Sequence, residues 1–461
     1  MSDNLERVVF SRNEYDIELK MDIEFKFENT YVFSKEKKLI MESIRVIPSI
    51  DGPHEINRYI RPQILIIQGI LSYFSGIPFT IYEHRAGEVN VVNTENEVNK
   101  ELKKQKLIIE GVDYSDDLHV LLDKLSEPKS KSLVITLLDR WRKARYMEME
   151  SEVDIYHDEV ILTYFHILEL LVEGYYENLK KEADKQIKNF VGEFTSKILN
   201  QRGNSLNNTV NSKFKLLKSL LVSEEMSIAS KINYFLKSYN MLDDQTYFLV
   251  NKLVKIRNAV AHGRITYKDK VIWMLPPFFN LTNNSDSIIS IISVFTARAI
   301  GLHLGLKAWE NDWEHVYIHL SPPDEVLSSF MKDENQHINV SALDLIQGTN
   351  KKIKVSYIVD FYIENNKKYQ YSVLEVILSK VLKEISIDEE NCFELFLASV
   401  LMGDSEDEEL SNISRANVEA VHQNDWYGYS NIKDIYRYFE YHGIHVQWFE
   451  EWLQSDGHIR K

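Results

Sequence analysis

"LVKIRNAVAHGR" (residues 253–264) puts helix-spaced apolar residues, an arginine–asparagine pair, and a histidine followed at once by glycine into one short run. Leu249, Leu253, Ile256 and Val260 recur at spacings of four, three and four, the apolar stripe of an amphipathic helix. Asp243 and Asp244 are suitable N-caps, and Gly263 stands where a helix-ending glycine belongs. The spacing therefore predicts a helix over 245–262. At 3.6 residues per turn, Arg257 lies roughly 40° from Leu253, on the flank of the stripe, while Asn258 lies roughly 140° and His262 roughly 180° away. Asn258 and His262 thus share a face at i, i+4, turned from the helix's own core.

Each residue alone has an ordinary structural explanation. A charged histidine at a helix C-terminus meets the negative end of the macrodipole, and an arginine beside an apolar stripe can lay its stem along it. The neighbouring sequence adds more. In the upstream helical run "VILTYFHILELLV" (160–172) the one formally charged residue is Glu169, with His166 three positions before it. A carboxylate in so apolar a helix needs a partner or must be neutralised. Arg257, His166 or another base could serve.

Around this centre the chain is expected to be α+β. Residues 1–110 alternate short strand-like runs ("YDIELKMDIEFKF", "TYVFS", "SIRVIPSI", then 89–93 and 106–110) with a helix over 54–74, giving an N-terminal mixed α/β domain. Residues 111–335 read as a helical domain, with segments at about 156–200, 207–222, 226–239 and 245–262, a loop over "NQRGNSLNNT" (200–209), a β-prone "KVIWMLPPFF" and a long helix to about 309. Within it Arg140, Arg142, Lys143 and Arg145 are expected to form a solvated basic face. Residues 336–461 read as a small acidic region, with a strand at "IKVSYIVDFYI" followed by small helices, and an acidic surface loop or tail-like segment at "GDSEDEEL" (403–410).

The most apolar stretches, 60–81 and 287–306, are not clean membrane spans: Ser and Gly interrupt the first and Arg298 sits in the second. The N-terminus "MSDNLERVVF" lacks the apolar core of a signal peptide, and the single cysteine, Cys392, excludes a disulfide framework. The expectation is a cytoplasmic protein without a membrane partner. Net charge is −16, yet 178–270 carries 17 Lys/Arg against 8 Asp/Glu, and 351–461 carries 12 against 20. The middle can attract an anion. The acidic run at 404–409 can either keep the chain soluble or compete with an anion for the basic segment.

"LVKIRNAVAHG", with its glycine stop and the acidic residue in an apolar helix upstream, resembles the R-N-x-x-x-H signature of the HEPN superfamily of helical-bundle proteins. The layout, a mixed domain with "ILSYFSGIPFTI" before the bundle, is similar to the ApeA-type antiphage HEPN proteins. The resemblance covers about 110–320, and 1–110 loosely. It implies an endoribonuclease, a toxin-like antiphage or abortive-infection effector, acting on RNA as a homodimer or dimer of dimers that joins two Arg/His sets, and answering to a phage-derived trigger. The alternative it leaves is a non-catalytic HEPN scaffold for dimerisation, RNA binding or phage sensing.

The residue types suit that chemistry. Histidine titrates near neutrality and can take the 2′-OH proton or return one to the leaving oxygen. Arginine presents a permanently charged fork to phosphate oxygens in the transition state. His262 and Arg257 are the expected catalytic pair, Asn258 orients the histidine or the ribose, Glu169 supports Arg257, and Lys252, Lys255 and Arg264 contact phosphates. No cofactor is expected and no metal. His315/His319 and His442/His445 have ligand spacing but no evident third ligand.

Overall fold

Short runs alternating apolar and polar residues build an antiparallel sheet: β1 (Arg7–Asp16), β2 (Met21–Phe27), β3 (Thr30–Lys35), β4 (Lys38–Ile47), β5 (His84–Val92), β6 (Lys106–Ile109) and β7 (Val112–Asp113). Their order across the sheet is β5-β1-β4-β3-β2-β6-β7. In β2, Ile23, Phe25 and Phe27 point to the buried face while Asp22 and Glu24 face solvent, the period of two that fixes register against β3. The buried face is covered by helix α1 (Pro53–Ser75): Gln63 Oε1 accepts from Thr30 Oγ1 of β3 at 2.8 Å, and Gln68 Nε2 donates to Tyr15 Oη of β1 at 3.3 Å.

The computed structural model describes residues 7–47, 53–79, 84–92, 105–150, 157–221, 226–262, 281–333, 337, 339–426 and 432–455. The chain divides into two compact units, Met1–Thr266 with Asn284–Ile318, and Tyr267–Asn283 with His319–Lys461. Position 110 falls inside the first unit, and the chain passes last into the second unit at 318/319. The stretch "KVIWMLPPFF" lies outside the described residues.

In the first unit α1 joins the sheet to the helices. Helices α2 (Ser115–Ser126) and α3 (Pro128–Glu150) follow, and α3 packs along α1. A Cβ on Gly69 of α1 would stand 3.0 Å from Leu138 Cβ of α3, so the glycine allows the two helices to approach closely. Trp141 Nε1 donates to Ser72 O at 3.1 Å. The expected solvated basic face of α3 is half wrong. Arg142 bonds Phe79 O and Asp139, and Arg145 bonds Gly76 O at 2.6 Å and Glu148 at 2.7 Å. These two long side chains are drawn inward to satisfy carbonyls at the end of α1, while Arg140 and Lys143 are exposed.

The bundle continues with α4 (His157–Glu173), α5 (Tyr176–Glu193) running into a π-helical turn at Phe194–Ile198, α6 (Gly203–Leu221), α7 (Ile228–Ser238), α8 (Asp244–Ala261), α9 (Leu281–Leu304) and α10 (Glu310–His319). The single segment expected over 156–200 is thus broken at Gly174–Tyr175. The loop expected at 200–209 is mostly the first turns of α6, which its glycine starts rather than interrupts, with φ +58° at Gly203. Helix α4 is central: it packs against α3, α7 and α8, and Val160, Tyr164, Phe165, Ile167 and Leu171 are fully buried.

The second unit is built of short helices around its own core, including Leu374, Leu395, Phe396, Phe439 and Phe449. The strand expected at "IKVSYIVDFYI" is a helix, Val355–Asn365. Val355, Ile358, Val359, Phe361, Tyr362 and Ile363 are buried in it, and this broad buried face leaves only a narrow polar strip of Ser356, Asp360 and Glu364, with Asp360 and Glu364 exposed. The acidic run is no free loop. Asp407 caps the helix Glu408–Asn424 through Glu409 N and Leu410 N, and Lys383 Nζ bonds Asp407 at 2.6 Å and Glu409 at 2.9 Å. The architecture is α+β with a helical bulk. Among the described residues no helix is long and apolar enough to cross a membrane.

Candidate functional site on helices α4 and α8

Helix α8 starts on a closed capping box. Asp243 Oδ1 accepts from Thr246 N at 2.8 Å, and Asp243 N donates to Thr246 Oγ1 at 2.8 Å. Tyr317 of α10 donates to the other carboxylate oxygen. Burial works to raise the Asp243 carboxyl, but the bonds from Thr246 and Tyr317 outweigh it and hold it below the usual carboxylate range. Leu249, Val250, Leu253 and Val260 are buried and Ile256 is half-buried, so the apolar stripe faces the bundle.

That stripe sets α8 against α4 and brings Glu169 to Arg257. Arg257 Nη2 donates to Glu169 Oε1 at 2.6 Å, with the two side chains 29% and 28% exposed. Arg257 Nη1 donates to Asn258 Oδ1 at 3.0 Å. The guanidinium lies 5.8 Å from the centroid of the buried Phe165 ring, and its Nε is buried without a hydrogen-bond partner. Of five guanidinium donors, the two terminal nitrogens have each committed one, leaving protons for a second acceptor. His166 is exposed and makes no ion pair with Glu169 among the described residues.

His262 is the C-cap of α8, at φ −97° and ψ 13°, with its N–H donating to Asn258 O at 3.2 Å. Its side chain is exposed, as are Asn258, Lys252 and Lys255. The structure therefore brings together Glu169, Arg257 and Asn258, with His262 one turn beyond Asn258 on the same face. The Asn258 side chain is turned to Arg257 rather than to the histidine. Gly263 and Arg264 lie outside the described residues.

Two features were not read from the sequence. The Arg257–Asn258 bond joins adjacent residues whose Cβ directions differ by about 100°, so no helical spacing announces it. The Phe165 ring under the guanidinium is one aromatic among several in an apolar run. Among the described residues no three His, Cys, Asp or Glu side chains gather where they could hold a metal ion.

What the arrangement offers chemically is a positioned, permanently charged fork, partly exposed, on the same helix that ends in a solvent-facing imidazole. No protein-family model matches the chain, and no curated protein or solved structure matches it either.

Proposed function

We propose that this protein is a metal-independent HEPN endoribonuclease that cleaves RNA by attack of a 2′-OH on the adjacent phosphorus, and that it serves as a toxin-like antiphage effector. The observation that carries the reading is the Glu169–Arg257–Asn258 chain of hydrogen bonds on the helix that carries the exposed His262 one turn beyond Asn258. Glu169 fixes the guanidinium, which then meets a phosphate oxygen without having to be ordered at the moment of reaction. His262 takes the 2′-OH proton as the O–P bond forms, the P–O5′ bond breaks, and an acid returns a proton to the departing 5′-oxygen. Cleavage leaves a 2′,3′-cyclic phosphate and a 5′-OH. Lys252, Lys255 and Arg264 contact flanking phosphates. A homodimer, or a dimer of dimers, supplies the second histidine as the acid. A phage-derived trigger releases the activity.

The test is incubation of the purified protein with RNA in EDTA. Cleavage with cyclic-phosphate ends is expected, and Arg257→Ala or His262→Ala should each lower the rate by at least about 10²-fold. Cleavage that is lost in chelator and restored by Mg²⁺ or Mn²⁺, or that survives in the double variant, overturns the assignment. Protein that binds RNA or dimerises without cutting supports the scaffold reading instead.

A further inference from the structure

The exposed side of α8 extends well beyond the proposed catalytic end. Tyr247, Asn251, Lys255, Asn258 and His262 follow one another at spacings of four, four, three and four, within about 80° of each other around the helix. Tyr247, Lys255, Asn258 and His262 are exposed, Tyr247 at 46% despite its aromatic ring. Asn251 anchors itself to the helix by donating to Tyr247 O at 2.9 Å. The Tyr247 ring packs edge-on against Phe248, with centroids 5.5 Å apart, which steadies it at the surface. The row spans about 22 Å.

Its charge is as unusual as its aromatic end. The chain holds 70 Asp and Glu residues, yet none occurs from Gln245 to Lys268. Every charged side chain that α8 presents after its first turn is a cation. Beyond the exposed Asp243 and Asp244, which precede Tyr247 by one turn, the face carries an aromatic followed by cations and amides, which matches the needs of a single-stranded nucleic acid, whose phosphates follow the charge while an unpaired base lies on the ring.

We propose that α8 is a track for single-stranded RNA, with Tyr247 as the platform on which one base stacks, several nucleotides from the phosphate held at Arg257 and His262. The inference rests on the ribonuclease reading and deepens it, since stacking on Tyr247 needs an unpaired base. A duplex, whose bases are already stacked, gains nothing from the ring. Tyr247 is then a positioning residue for substrate, distant from the reacting atoms.

The experiment measures affinity by fluorescence anisotropy in the His262→Ala chain, with a labelled single-stranded 12-mer RNA and the same 12-mer annealed to its complement. Tyr247→Ala should weaken single-strand binding about tenfold, and Tyr247→Phe should bind as the parent does. Duplex affinity should be the same in all three. Thermal melting of each variant reports on the fold, which an exposed Tyr→Ala change in a helix leaves intact. The track is overturned if Tyr247→Ala binds the single strand like the parent, or if Tyr247→Phe is as weak as Tyr247→Ala. If the parent binds neither RNA and the unmutated chain cuts none, the ribonuclease reading falls with it. Wild-type cleavage alongside an unaffected Tyr247→Ala removes the track alone.

Discussion

Arg257 of α8 and Glu169 of α4 meet at 2.6 Å across 88 residues of sequence. Both side chains keep more than a quarter of their surface exposed, so the pair is a positioned surface-facing contact rather than a sealed core bridge. Its worth to stability is on the order of 1 kcal/mol or less. Under the proposed ribonuclease reading its worth to activity is larger, because it fixes where the guanidinium points. Glu169→Gln keeps the shape and removes the charge. We expect a cleavage rate lowered by about 10²-fold, the cost typical of small misplacement of a catalytic group, with a melting temperature shifted by only a few degrees. Single-turnover cleavage and a melting curve of the same preparation check this. A rate equal to wild type shows that Arg257 needs no anchor.

The start of α8 should be acid-sensitive. The Asp243 carboxyl is held below its ordinary range in the fold by Thr246 and Tyr317, against the effect of burial. A depressed folded pKa means the stabilisation is complete above the ordinary carboxylate range and is lost as pH falls through the lower, folded value. Asp243→Ala should cost about 1 kcal/mol at neutral pH, as loss of an N-cap does. That difference from wild type should persist at pH 5 and shrink below pH 4. Urea unfolding of both proteins across this range measures it, and a difference that stays constant down to pH 2 contradicts the assignment.

The stripe of α8 was legible because one face is apolar and the other is not. Where the buried face is broad, that contrast narrows. Val355–Asn365 is rich in Val, Ile, Tyr and Phe and reads as a strand, yet it is a helix whose polar strip is only Ser356, Asp360 and Glu364. The proximity of Glu169 to an arginine followed from the cost of an unpaired charge, but the choice among Arg257, His166 and other bases needed the packing of α4 on α8. Arg142 and Arg145 look like surface cations in sequence. Only the carbonyls of Phe79 and Gly76, brought near by the fold, turn them inward. Asn258 turns to Arg257 for a reason of reach, since a long side chain can close on the next residue where helical spacing would not place it.

Assembly can be read with one engineered thiol. Cys392 is buried, so a cysteine at the exposed Lys255 would be the reactive one. If two α8 helices lie near a two-fold axis, isologous contact places the two Lys255→Cys side chains near each other. We expect a covalent dimer under mild oxidation, and a dimer or tetramer for the unmodified protein by light scattering. A protein that stays monomeric at assay concentration and still cleaves at full rate contradicts a shared acid–base pair.

The acidic run at 404–409 has work to do inside its own unit. Asp407 caps Glu408–Asn424 and, with Glu409, holds Lys383, while Asp404 accepts from Trp448 N at 3.2 Å. Carboxylates so engaged answer to the fold before any outside cation. The Asp407 carboxyl is held low, first by Lys383 and then by the N–H of Leu410, so its contribution is present at neutral pH and fades as the solution is acidified through its folded pKa. Asp407→Ala should lower stability, as loss of an N-cap does. Glu406 and Glu408, which are exposed, can be changed to Gln without touching the cap. If the run were a brake on RNA binding, that double change would raise RNA affinity and flatten its salt dependence. We expect no change in either at 50 and 200 mM salt, because the residues best placed to compete are already committed to Lys383 and to the helix end. A clear gain in affinity in the double variant would show instead that the exposed glutamates restrain the nuclease.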